Sequence, residues 1–124
     1  MEYHDYHLRG YSVANFGADL VLDLLYRYEG QPERESRVHF SGVRFHHFEF
    51  TAPAILTSIE EMPVGELVGE RSSQFQEWAT RQGVMDWSKD AKALAATWEQ
   101  AGLRAWQIDS AIGFSGFVVG EAMR

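Results

Sequence analysis

Leu20-Val21-Leu22-Asp23-Leu24-Leu25-Tyr26-Arg27-Tyr28 is the stretch that decides the fold. Leu20, Leu22, Leu24, Tyr26 and Tyr28 alternate with Val21, Asp23, Leu25 and Arg27, and a period of two marks a strand with one face on a core. The even face is therefore predicted to be buried.

Upstream, Tyr6 to Val13 reads as a preceding strand, and the Asn and Gly of Asn15-Phe16-Gly17 suit a tight connection. Downstream, Gly30 and Pro32 make Glu29 to Glu33 a loop. Ser36 to Phe50 then predicts a long third strand. Val38 and Phe40 share one parity and Val43 and Phe45 the other, so a bulge is expected at Gly42. A second slip is expected at His46-His47, where Phe48 and Phe50 change parity again. Ala54 to Ile59 reads as a short fourth strand, and the four are expected to form an antiparallel meander.

The middle of the chain changes period. Pro63 suits the first helical position, and Val64, Leu67 and Val68 follow at helical spacing. Ser73 with Gln76 has the form of a capping box, Phe75, Trp78 and Ala79 line one face, and Gly83 is the stop. Asp86 or Ser88 is placed to cap the main helix, whose stripe is Trp87, Ala91, Leu94, Ala95 and Trp98, with Gly102 just past its end. Leu103 to Ile112 and Phe114 to Met123 read as two closing strands, with another bulge at Ser115-Gly116.

The expected fold class is α+β. A mainly antiparallel sheet of about five to six strands carries two to three helices on one face, all in one domain over residues 1–124. The tryptophan-bearing helix is expected to cover the leucine face.

With 124 residues, the chain is long enough to bury a core without staples. It has no cysteine, which excludes disulfides, thiolate ligands and cysteine nucleophiles. No apolar run approaches the roughly 20 residues of a membrane span, and no leader is visible. The expected location is the cytoplasm. A net charge of −7 repels phosphate backbones and anionic lipid, so neither nucleic acid nor a membrane is an expected partner. A basic protein would be attracted.

Candidate chemistry is sparse. His4 and His7 are three apart, His39 is alone, and adjacent His46 and His47 must point to opposite faces of a strand. HExxH is absent, and no metal site or cofactor is expected. Glu60, Glu61, Glu66 and Glu70 read as a solvated acidic edge. The serines near Gly113 match no nucleophile elbow, and Gly113 to Phe117 matches no phosphate loop. No catalytic residue is assigned. The residues proposed to bind a ligand are His46, His47, Glu49, Glu60 and Asp109, with Trp78 and Trp87 flanking a turn where a ring could stay exposed. Tyr3, Tyr6 and Tyr11 are similar anchors.

Two functions fit these residues. The preferred one is a non-enzymatic binding or regulatory module of the bacterial cytoplasm that meets a protein partner, in the manner of a toxin's immunity protein. The other is a small enzyme or ligand carrier with a pocket between sheet and helices. A homodimer paired along an edge strand from Phe45 to Phe50 is compatible with both.

Overall fold

A computed structural model describes residues 3–82 and 91–124, with side chains up to residue 78 in the first segment. Gly83, Asp86, Trp87 and Ser88 lie outside the described residues. The fold is α+β, built from a six-stranded antiparallel sheet and helices packed against it.

The alternating leucines form β2, Asp19–Tyr26, and Leu20, Leu22 and Leu24 are fully buried. β1, His7–Ala14, pairs with it antiparallel from His7↔Leu25 to Ala14↔Asp19, through a 3-10 turn at Asn15–Gly17. β3, Arg34–Ser41, pairs on the other side, where Leu20↔Phe40 and Leu22↔Val38 stack apolar side chains on the same face.

At Gly42 the expected bulge is a corner. β3 ends at Ser41 and the next strand, β4, runs Phe45–Met62. Gly42 has φ +59°, and a Cβ there would collide with the Glu121 side chain. Backbone bonds change partners at this corner: Val43 N–H donates to Ala18, and Arg44 N–H to Val119.

The slip expected at His46-His47 does not occur. Pairing with β5, Arg104–Gly120, runs unbroken from Phe45↔Val119 to Phe50↔Phe114. Parity fails there because both faces take rings. Phe45 lies among Phe75, Trp98 and Phe117, while Phe48 lies against Tyr11 and Phe114. A strand half-buried on both faces loses its alternation.

Ala54 to Ile59 is likewise the continuation of β4, not a separate strand. Residues 51–54 bulge opposite Gly113, and pairing resumes from Ile55↔Ile112 to Met62↔Ala105 with further shifts. Gly113 (φ +81°) is required here, because a Cβ would strike the carbonyl oxygens of Pro53 and Thr51. Ser115 and Gly116 pair regularly, without a bulge.

Only β1 to β3 form a meander. β4 lies beside β1, giving the order β5-β4-β1-β2-β3-β6. The two expected closing strands are one long β5 followed, across Glu121 alone, by β6, Ala122–Met123, on the opposite edge of the sheet. The sheet is thus curled until its two ends meet.

This curl decides the core. Leu20, Leu22 and Leu24 pack against Phe40, Leu56, Trp106, Ile108 and Val118 inside the curl. The tryptophan-bearing helix does not cover them. It covers the other side of β5, where Ala105, Phe117 and Val119 meet Leu67, Phe75, Leu94 and Trp98. Both faces of β5 are apolar, so the sheet buries one against itself and leaves the other for helices.

The helical layer is α1, Val64–Glu70, α2, Ser72–Gln82, and α3, Ala91–Gln100. Pro63 sits at the N-cap of α1, one position before the first helical residue where the sequence placed it. α2 begins at Ser72, so Ser73 lies inside the helix and not at its cap. At the end of α3, Gly102 (φ +76°) donates to the Glu99 carbonyl at 3.0 Å and Leu103 to that of Trp98 at 3.1 Å. These are the paired bonds of a Schellman stop, with Trp98 and Leu103 in one apolar cluster. No helix among the described residues is long and apolar enough to cross a membrane.

Candidate functional site

The residues singled out by sequence fall in three places. His47, Glu49 and Trp78 come together on the helix side of β4. The His47 ring lies 4.7 Å from that of Trp78, and its Nε2 stands 3.6 Å from the Glu49 carboxylate. That separation is too long for a hydrogen bond. Glu60 and Asp109 lie further along the β4–β5 pair, in the register Glu60↔Gln107 and Ser58↔Asp109. Asp109 accepts from Gln107 Nε2 at 3.2 Å and from Ser58 Oγ at 3.5 Å. His46 lies on the opposite face from His47, its ring 5.2 Å from Phe48. Burial, and then the neighbouring His47, hold the His46 pKa below the ordinary value of 6.5. Trp87 is outside the described residues.

The remaining histidines lie apart from these residues. His4 faces Asp5 at 3.2 Å, the His7 ring lies tilted 5.1 Å from that of Tyr28, and His39 faces Asp19 at 3.2 Å. Among the described residues no three His, Asp or Glu side chains converge as metal ligands would. The acidic edge is partly paired: Arg104 holds Glu61 and lies over the Trp106 ring, and the hydrogen bonds it donates lower the Glu61 pKa.

A different constellation is gathered by the curl. β1 and β4 pair only at His7↔Ile55, and Leu56 N–H donates to Tyr6 beside it. Beyond that point the two strands part, and Gly10–Ala14 has no ladder partner on the β4 side among the described residues. The cross-strand register Tyr11↔Leu22 and Val13↔Leu20 puts Tyr11 and Val13 on the concave face. Leu20 and Leu22 are fully buried, yet Tyr11 is 42% exposed and Val13 46%. Tyr11 reaches across the split to Phe48 at 5.0 Å and Phe50 at 6.3 Å, and Phe50 is itself 36% exposed. His46 stands on the same face of β4, next to Phe48.

Phe16 stands at the end of that edge, fully exposed and with φ +58°. A non-glycine residue in the left-handed region persists only where its surroundings fix it. Here Asn15 donates to the Asp19 carboxylate, which also faces His39. Those contacts, Asn15 first, lower the Asp19 pKa. The turn is pinned at its base and presents a phenyl ring to water.

Of these residues, Tyr11 was legible as an anchor and His46 as a candidate. Phe16 was not, because Asn-Phe-Gly reads only as a turn. One sequence signal could have found the edge: Gly10 to Phe16 carries no charge in a chain where 23% of residues are charged.

No family model, no curated protein and no solved structure matches this chain.

Proposed function

We propose that this chain is a non-enzymatic recognition module of the bacterial cytoplasm that binds a basic protein partner, in the manner of an immunity protein. The exposed ring of Phe16, held in a left-handed turn at the end of an uncharged strand edge, carries this reading. An exposed ring on a pinned turn contributes nothing to the core, whereas aromatic side chains are favoured anchors in interfaces. Tyr11, Val13 and Phe50 extend the apolar surface along the split. The net charge of −7 would speed encounter with a basic partner and oppose docking of a second copy.

The pocket alternative has less support. A groove of about 370 Å³ lies between α1 and α3, lined by Gly65, Val68, Ala91, Ala95, Lys92 and Glu99. None of His46, His47, Glu49, Glu60 or Asp109 lines it.

The test is site-specific photo-crosslinking in the native cell, with a benzophenone side chain at Phe16 and, as control, at Arg37 on the outer sheet surface. A discrete adduct with one basic protein at Phe16 and none at Arg37 is expected. Identical adduct patterns at both positions, or none at Phe16, would remove the reading.

A further inference from the structure

Among the described residues, the split between β1 and β4 leaves a strand edge without a ladder partner and without charged side chains. Native sheets guard free edges with charged side chains, proline or very short strands. β6, at the far edge, is only two residues long. Gly10-Tyr11-Ser12-Val13-Ala14 carries no charge and no proline, and the residues from Tyr11 to Ala14 are exposed. The ladder shift between Leu8 and Gly10 falls where β1 leaves β4. Arg9 fixes that point from the outer surface, bonding Asp23 at 3.0 Å and Glu35 at 3.2 Å.

We propose that Gly10–Ala14 takes up an extended segment of a basic protein as an added β-strand, with apolar side chains of that segment seated at every second position on Tyr11, Phe48 and Phe50. The proposal rests on the recognition reading above and specifies its mode. Backbone groups on a free edge pair only with another extended backbone, which supplies affinity without sequence demands. Specificity then comes from the ring-lined side of the split, which accepts alternate residues, because successive side chains of a strand point to opposite faces. Charge chooses the occupant. A second copy would bring −7 against −7, whereas a lysine- or arginine-bearing segment is drawn to the acidic chain.

The probe is a short synthetic peptide of alternating lysine and valine, compared with the same peptide N-methylated at alternate residues. Methylation keeps charge and side chains but removes backbone donors. Binding is followed by NMR titration and by amide hydrogen exchange on the full chain. The expected result is peptide-dependent protection within Gly10–Ala14, with the methylated peptide bound at least about tenfold more weakly, the loss of one or two hydrogen bonds. Equal binding of the two peptides, with shifts at Tyr11 and Phe50 but no amide protection, would overturn strand addition. Protection that grows with protein concentration and needs no peptide would assign the edge to a second copy and overturn it too. Failure of both peptides while the Phe16 crosslink forms would sink strand addition but leave the recognition reading. Failure of both experiments would remove the two together.

Discussion

Replacing Phe16 by Asn should make the protein more stable and a poorer binder. An ordinary residue in the left-handed region costs roughly 1–2 kcal/mol, while Asn visits it readily through local hydrogen bonds of its short side chain. Phe16 has φ +58° and ψ +30°, in that region. The ring is fully exposed, so its removal forfeits no burial to offset the gain. The net expectation is a stabilisation of about 1 kcal/mol. For urea slopes of roughly 1–3 kcal/mol per molar, the midpoint should rise by about 0.3–1 M. Equilibrium urea unfolding, followed by tryptophan fluorescence, reads this directly. The same variant should lose capture of its partner, the pattern of a strained residue kept for function. A loss of 1 kcal/mol or more would refute the reasoning, because it would mean that the ring packs on the protein or that the turn is not left-handed.

Leu22→Ala, at a fully buried position inside the curl, should cost about 2–5 kcal/mol in urea unfolding, and a change below 1 would put that leucine in solvent. Gly113→Ala should cost more than about 2 kcal/mol, because its Cβ meets two backbone carbonyls. Gly102→Ala should cost nearer 1, since its positive φ stands in open space; equal thermal shifts for the two would contradict the bulge opposite Gly113. Acid should weaken the fold through His46. Its pKa is lowered in the folded state, so the unfolded chain binds the proton first. Stability is then full above about pH 6.5 and declines as pH falls toward the folded value. His46→Gln should flatten urea midpoints measured between pH 7.5 and 5, and an unchanged slope would show that the ring is as solvated as in the unfolded chain.

Local pattern determined much of this protein. Leu20, Leu22 and Leu24 announced a buried strand face, Gly102 a helix stop, and Trp106 with Ile108 one face of a strand, because each signal depends only on neighbours along the chain. Only the tertiary structure decided what covered those faces. β5 buries apolar side chains on both sides and β4 packs rings on both, so their alternation carried no direction, and the leucines met Trp106 across the curl and not the helix that carries Trp98. Gly42 likewise told of a break but not that the chain turns a corner there onto a new partner. The split at β1 exists because β4 pairs with β1 at His7↔Ile55 alone, a consequence of closure between residues far apart in sequence. The uncharged run from Gly10 to Phe16 is in the sequence; that it borders an edge with no ladder partner among the described residues is a property of the curled sheet.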